Sequence, residues 1–159
     1  MIIVSDTSII TNLFQIGEIY LLEKLFVEVI IPEAVENELN EMQEQKDFIK
    51  NNTWIKVEKP QNQSLITQLS EKLDIGESEA ITLAIEKSAD YLLIDEKKGR
   101  KEARIHNLNI IGILGVLILA KQEGFIKQVK PLLDRLIQDV NFYINPVLYE
   151  DILYQVDEN

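Results

Sequence analysis

Residues 2–13 read "IIVSDTSIITNL", a short apolar run that ends at a carboxylate, Asp6. A continuous apolar run of this length is typical of a strand that is buried on both faces. After Asp6 the apolar residues recur at helical spacing, and the hydroxyl of Thr7 or Ser8 can cap the helix that they predict. The stretch therefore predicts a buried strand, a charged residue at its carboxyl end and a helix, in that order.

The same alternation of strand and helix patterns continues along the chain. Further strands are predicted at 27–31, 53–58, 91–94 and 109–111. Helical patterns lie between and after these strands, at 9–14, 21–25, 33–42, 64–73, 76–87, 96–106, 112–123, 127–138 and 146–155, and the polar stretch 43–52 either prolongs its helix or ends it. Strands that alternate with helices form βαβ units, so the sequence predicts the α/β class with a parallel sheet covered by helices.

The composition narrows the possible chemistry. The chain has 159 residues, of which 46% are hydrophobic and 27% charged, as is ordinary for one folded globular unit. It has no cysteine and one histidine, which excludes disulfides, thiolate metal sites and cysteine nucleophiles. The net charge of −11 argues against broad electrostatic binding of nucleic acid, but metal ions can supply positive charge at a few phosphates. Because no leader-like or membrane-spanning apolar run is present, we expect a cytoplasmic protein without membrane contact.

Four acidic residues are candidates for a common site. Asp6 and Asp95 each follow a predicted strand, and ligand sites of open parallel sheets lie beyond the carboxyl ends of the strands. Glu38 lies beside the apolar face of its helix, and Glu77 follows Gly76, which allows a helix to start there. Taken alone, Asp6 is more often a helix cap and Glu38 a solvated helix residue.

Carboxylates that converge repel one another and become partly protonated unless a cation binds among them. Since cysteine is absent and histidine nearly so, all-oxygen ligation favours Mg²⁺ or Mn²⁺ over Zn²⁺. The sequence therefore predicts a divalent metal site. Glu79 is a candidate supporting group, whereas Asp74 and Glu96 are interpreted as supporting or solvated.

One concentrated basic patch, "KKGRKEAR" at 97–104, directly follows Asp95 and Glu96. Phosphates of a substrate would arrive beside these acids, where basic side chains can bind them. The residues expected to do so are Lys97, Lys98, Arg100 and Lys101. The alternative is a solvated helix face with internal ion pairs such as Lys98–Glu102.

The motifs "VSDTS", "GESEAI", "LLID", "KKGRKEA" and "GILGVL" occur in this order. In this combination the sequence resembles PIN-domain ribonucleases, in particular a VapC-like branch of toxins. The likeness covers about 1–137 and extends more loosely through about 138–159. It implies one domain over 1–159 with a three-layer α/β/α fold, a central parallel sheet and extra C-terminal helices.

By this resemblance four acids match the catalytic acids of the family, namely Asp6, Glu38, Glu77 and Asp95. The expected metal ligands are Asp6, Glu77 and Asp95, with Glu38 in support. Ser8 matches a small polar supporting position of the family.

The resemblance also implies an activity and its partners. The expected activity is hydrolysis of RNA phosphodiester bonds with bound Mg²⁺ or Mn²⁺, leaving a 5′-phosphate and a 3′-hydroxyl. The expected partners are a small antitoxin protein that fills the acidic cleft with a basic side chain, and a second copy of the chain in a homodimer. Val147, Leu148 and Ile152 share a face of the last predicted helix, which can pack on its own domain or on that second copy.

Two other hypotheses stay open. The chain differs from many PIN toxins in having Ile94 where they have Thr or Ser, and Glu77 where many have Asp. These differences motivate a catalytically silent PIN-like domain that works as a protein-interaction or regulatory module. Another phosphate-handling α/β protein is the third hypothesis, but the sequence lacks the paired acids of receivers, the second Asp of haloacid-dehalogenase phosphatases and the glycine motifs of nucleotide-binding folds.

Overall fold

The computed structural model describes residues 1–159 and is built around a sheet of five parallel strands. In chain order the strands are β1 (Ile3–Ser5), β2 (Val29–Pro32), β3 (Ile55–Glu58), β4 (Tyr91–Leu93) and β5 (Ile110–Ile111). The order across the sheet is β3-β2-β1-β4-β5. β1 is therefore central, with β2 and β3 on one side and β4 and β5 on the other.

Ten helices flank this sheet. They are α1 (Thr7–Gln15), α2 (Tyr20–Phe26), α3 (Glu33–Leu39), α4 (Gln43–Asn51), α5 (Gln63–Leu69), α6 (Ile75–Glu86), α7 (Lys97–Ile105), α8 (Ile113–Gln122), α9 (Lys130–Asp139) and α10 (Pro146–Gln155). The predicted α/β/α arrangement around a parallel sheet is confirmed.

Each face of the sheet has its own apolar core. Adjacent residues of a strand point to opposite faces, so Ile3 belongs to one core and Val4 to the other. The larger core has 29 buried residues and includes side chains of α1, α2, α8, α9 and α10. The smaller has 11 buried residues and includes side chains of α5, α6 and α7. Burial on both faces explains why the central strands are continuous apolar runs.

The helix after β1 is capped by Asp6 and not by the hydroxyl of Thr7 or Ser8. Asp6 has an extended backbone, and its Oδ1 accepts a hydrogen bond from the Ile9 N–H at 3.4 Å. Thr7 and Ser8 are already inside the helix, so neither hydroxyl serves as the cap. The cap is therefore the same carboxylate that was predicted as a metal ligand.

Two helix boundaries also differ from the predictions. The polar stretch after α3 forms a separate helix, α4, because Gln45 and Ile49 give it a buried side. The helix predicted at 64–73 ends at Leu69, and the turn that follows leads to the first residue of α6.

The C-terminal helix packs on its own chain. Ile152, Leu153 and Val156 are buried in the larger core. Val147 and Leu148, which the sequence places on the same helical face as Ile152, are 69% and 44% exposed. The predicted apolar face is thus covered by the chain itself at its C-terminal end only.

Glu158 ties the end of the chain to the start of α9. Its carboxylate accepts hydrogen bonds from the N–H groups of Val129 (2.7 Å) and Lys130 (2.8 Å) and from Lys121 Nζ (2.9 Å). Burial raises the pKa of Glu158, but these donors and the Lys121 charge outweigh burial and hold it below its ordinary value. The carboxylate therefore links the end of the chain to α8 and α9.

We expect Glu158→Gln to lower the free energy of unfolding by about 1–2 kcal/mol at pH 7, since one oxygen becomes an amide beside N–H donors. Because the folded pKa is lowered, the stabilisation is present above the unfolded pKa and is lost as the pH falls through the folded value. Urea unfolding at pH 7 and at pH 3.5 measures both effects. The exposed Glu150→Gln on α10 is the control, and an equal loss in both variants would contradict the assignment.

Candidate active site

The acidic residues gather where the chain order reverses across the sheet. Asp6 follows β1 directly, and its N–H donates to the Leu93 carbonyl of the neighbouring β4 at 3.0 Å. From β1 the chain proceeds to β2 on one side, while β4 lies on the other. Crevices at such a reversal, beyond the carboxyl ends of the strands, are where open α/β sheets bind ligands.

Asp6 is held firmly in this crevice. Its side chain is 3% exposed and accepts hydrogen bonds from the Ile9 N–H and from Ser8 Oγ, the latter at 3.2 Å. Burial raises its pKa to about 7, against the opposing effect of these two donors, and the nearby charges of Asp95 and Asp74 add smaller upward contributions. Asp6 is therefore a positioned carboxylate that gives up its proton near neutral pH.

Glu77 enters the crevice from the first turn of α6. Asp74 caps this helix, and its Oδ1 accepts from the Glu77 N–H at 2.8 Å. The pKa of Glu77 is raised to about 8. Burial is the main cause, and the nearby carboxylates of Asp74, Asp6 and Glu96 raise this pKa further. The Oε2 atom of Glu77 is buried and has no hydrogen-bond partner.

Gly76 provides space for Glu38. Burial raises the pKa of Glu38, whose helix α3 packs against α6. A Cβ atom at position 76 would collide with Glu38 Oε1. We expected Gly76 to let the helix begin there; α6 instead begins at Ile75, so the absent side chain serves the approach of a second carboxylate.

Three of the four predicted acids line one small pocket, called the acidic pocket below. It has a volume of about 240 Å³ and no hydrophobic lining residue. Its lining residues are Asp6, Thr7, Ser8, Thr11, Asn12, Glu38, Asp74, Glu77 and Glu96.

The fourth acid, Asp95, lies beside the pocket and not in its lining. Its Oδ1 accepts from the Ile113 N–H at the start of α8 (2.9 Å), and its Oδ2 is buried without a partner. Burial raises the pKa of Asp95, while the Ile113 N–H and the Arg100 charge act in the opposite direction. Asp95 still lies close enough to Asp6 to raise the pKa of that residue.

Two predicted supporting residues make definite contacts. Ser8 donates to Asp6, as described, and therefore helps to orient that carboxylate. Glu79 Oε1 accepts from the Ala34 N–H at 3.0 Å, near the start of α3. Glu79 thus helps to fix the helix that carries Glu38.

The basic residues after Asp95 divide between two sides of α7. Lys97 and Arg100 line a cavity of about 1030 Å³ next to the acidic pocket, called the edge groove below. Lys98 and Lys101 are exposed and line neither cavity. Their exposure agrees with the alternative of a solvated helix face, but the ion pair Lys98–Glu102 named with it is not formed, because Glu102 pairs with Lys72 at 3.4 Å.

The side chains of the acidic pocket are of the chemical type that binds hard divalent cations. The pocket is lined by carboxylates, hydroxyls and the amide of Asn12. Glu77 Oε2 in the pocket and Asp95 Oδ2 beside it are buried without a hydrogen-bond partner. No group of three or more acidic or histidine side chains is arranged to hold an ion, however.

The sequence matches the model of a PIN-domain family, DUF3368, over residues 2–158. The chain belongs to the PIN-domain family. PIN domains are generally nucleases, so membership supports a nuclease fold and hydrolase chemistry. No curated protein and no solved structure gives a significant match to this PIN domain. None of its helices has the length and apolar character required to cross a membrane.

Two residues of the acidic pocket are ones that the sequence indicates only as supporting or solvated. Asp74 caps α6, and its negative charge raises the pKa of both Asp6 and Glu77. Glu96 directly precedes α7 and lines the acidic pocket. The position of Asp74 just before a helical pattern is the usual signal of a capping residue, so its place could have been found from the sequence. Glu96 offers no such signal, because an acid beside a basic helix is ordinarily solvated.

Proposed function

We propose that this PIN domain is a metal-dependent endoribonuclease. The observation that carries the proposal is the acidic pocket at the carboxyl end of β1, where burial and mutual repulsion raise the pKa of Asp6, Glu38 and Glu77. Holding several unpaired carboxylates together costs stability in the absence of a cation. A site that only stabilised the fold would be expected to pair these charges.

Asp6, Glu77 and Asp95 are the residues proposed to hold Mg²⁺ or Mn²⁺. When bound, the ion would lower the pKa of a water molecule and offset charge on the reacting phosphate. Ser8 and the Ile9 N–H keep Asp6 oriented, and Glu79 keeps α3 in place so that Glu38 can accept a hydrogen bond from the attacking water. Water adds to phosphorus and the bond to O3′ breaks, which leaves a 5′-phosphate and a 3′-hydroxyl.

The basic side chains of α7 are proposed to hold substrate phosphates. Of the four expected residues, Lys97 and Arg100 are the better candidates because they line the edge groove beside Asp95. Lys98 and Lys101 lie outside both cavities and are left as surface charges.

A role as the toxin of a toxin–antitoxin pair is proposed from the VapC-like motifs. A basic side chain from a small antitoxin would neutralise the acidic pocket and prevent cation binding. A homodimer is proposed on the same grounds, and an RNA substrate makes the cytoplasm the expected compartment. Purification from the native host without any small companion protein would count against the toxin role.

A catalytically silent interaction module is the second candidate function. Two observations favour it. No three carboxylates are arranged to hold an ion, and Arg100 already provides a positive charge beside Asp95.

Calorimetric titration with Mn²⁺ at pH 8 separates the two candidates, because the raised pKa values of Asp6 and Glu77 oppose metal binding at lower pH. We expect micromolar binding by the wild type, loss of binding in Asp6→Asn and unchanged binding in Asp47→Asn, which removes an exposed charge on α4. Equal binding by wild type and Asp6→Asn would refute the site. No binding by either protein would favour the silent module.

A further inference from the structure

The acidic pocket has two walls of different chemistry. One wall carries negative charge, and its carboxylates belong to Asp6, Glu38, Asp74, Glu77 and Glu96. The other wall, called the neutral wall below, consists of uncharged hydrogen-bonding side chains of α1, namely Thr7, Ser8, Thr11 and Asn12. These four positions are spaced by one, three and one residues, so they form one stripe along the helix. The pocket therefore offers an uncharged surface opposite its acids.

Three of the four side chains in the neutral wall already have a role within the protein. Ser8 Oγ donates to Asp6 at 3.2 Å. Thr11 Oγ1 donates to a buried glutamine of α4 at 3.3 Å. The Thr7 hydroxyl lies beside Glu38 and lowers the pKa of that residue, although it falls short of full hydrogen-bond geometry. These three hydroxyls are thus directed towards protein groups.

Asn12 is the member of the neutral wall whose side chain is free. It is half-buried, and its amide makes no hydrogen bond to any other group of the protein. The amide can donate two hydrogen bonds and can also accept, so it suits a partner that does both. A phosphate oxygen is repelled by the five carboxylates unless a cation intervenes, whereas an uncharged hydroxyl is not. Asn12 is therefore suited to bind a hydroxyl group.

The pocket admits only a small part of a substrate. Its volume of about 240 Å³ falls below the range of roughly 300–1,000 Å³ that is usual for small-molecule sites. The groups of a nucleic acid that enter are then the scissile phosphate and the adjoining edge of the ribose, while the bases stay outside. The 2′-hydroxyl lies on this edge next to O3′, and it is the group that distinguishes RNA from DNA there.

The proposed reaction makes no chemical use of the 2′-hydroxyl. Water attacks phosphorus and O3′ leaves, so the products are a 5′-phosphate and a 3′-hydroxyl whether the substrate is RNA or DNA. A preference for RNA must therefore come from a contact between the protein and the 2′-hydroxyl. A side chain that can both donate and accept, close to the reacting phosphate, can make that contact.

We propose that Asn12 hydrogen-bonds the 2′-hydroxyl of the nucleotide whose O3′ leaves, and that this contact makes the acidic pocket select RNA over DNA. The inference rests on the proposed ribonuclease function. Asn12 touches the substrate but neither holds the metal ion nor moves a proton. It is thus a specificity-determining residue, distinct from the four acids.

Cleavage of two matched substrates in the presence of Mn²⁺ tests this proposal. One is a 12-nucleotide RNA that contains a site cut by the wild type, and the other has a single 2′-deoxynucleotide on the 5′ side of that site. We expect the wild type to prefer the all-ribose substrate at least about 10-fold in kcat/KM. Asn12→Ala should lower this ratio to about 2 or less, because it loses rate on the all-ribose substrate alone. The matched control Asn37→Ala, at an exposed position of α3, should keep the wild-type ratio.

Two further measurements separate a contact to the hydroxyl from other effects. Asn12→Leu keeps most of the volume of the side chain without its hydrogen bonds, and it should lower the ratio as Asn12→Ala does. In calorimetric titration Asn12→Ala should bind Mn²⁺ as tightly as the wild type, since the amide is not a proposed metal ligand. Thermal unfolding of each variant verifies that the fold is intact.

Four results would overturn the assignment of Asn12. They are no preference of the wild type for the all-ribose substrate, an unchanged ratio in Asn12→Ala, an equal loss of rate on both substrates, and weaker Mn²⁺ binding by the variant. The last two would mean that the amide acts through the bound metal ion. Failure of the nuclease proposal has a different signature, because the wild type would then cut no RNA at all, and the inference would fail with it.

Discussion

Replacing Asp6 with Asn is expected to reduce RNA cleavage at least about 100-fold while leaving the fold intact. The variant keeps the helix cap, because Asn is as good a capping residue as Asp and can still accept from the Ile9 N–H. It removes the charge that a divalent cation needs. A loss of activity in Asp6→Asn therefore reports on the lost charge and not on a weakened α1. An alanine variant would lose both the charge and the helix cap.

The assay for this variant does not require a known substrate. Total RNA is incubated with each protein and Mn²⁺, and new 5′-phosphate ends are mapped by sequencing. Asp47→Asn is the control, since it makes the same chemical change at an exposed position on α4. Glu38→Gln, compared with the exposed Glu33→Gln on the same helix, should give a smaller loss. The same cleavage ends at the same rate with Asp6→Asn would rule out Asp6 as a metal ligand.

The second large effect is a loss of stability of the metal-free protein as the pH rises. Burial raises the pKa of Asp6 from 3.8 to about 7 and that of Glu77 from 4.5 to about 8. Between the unfolded and folded pKa values the folded state retains protons that the unfolded state has released, so the free energy of unfolding falls with increasing pH. Asp6 alone accounts for about 4 kcal/mol by pH 8, or about 10 °C in Tm.

Comparison with Asp6→Asn isolates this effect from the other acids. The variant should melt close to the wild type at pH 4 and about 10 °C higher at pH 8, both in EDTA. Mn²⁺ should raise the Tm of the wild type more at pH 8 than at pH 5, because fewer protons must then be displaced. A constant difference in Tm across this range would show that Asp6 is not the buried, repelled carboxylate described above. Asp47→Asn again serves as control and should follow the wild type.

Three of the four acids chosen from the sequence line the acidic pocket, and the fourth, Asp95, lies beside it. The position of Asp6 directly after a buried strand was enough to place it at the carboxyl edge of the sheet. Glu38 could be chosen over its exposed neighbours because it borders the apolar face of its helix. The periodicity does not reveal that Asp95 hydrogen-bonds the start of α8 instead of lining the acidic pocket.

The sequence by itself determined the fold class and the acids that gather beyond the strands, because apolar runs and helical spacing record which side of each element is buried. Only the tertiary structure decided which side chains meet. It divided the basic residues of α7 between the edge groove and the solvent, and it revealed that Gly76 makes room for Glu38. Those outcomes depend on contacts between residues that are dozens of positions apart. Local sequence patterns carry no information about such contacts, since they arise from the way the layers pack.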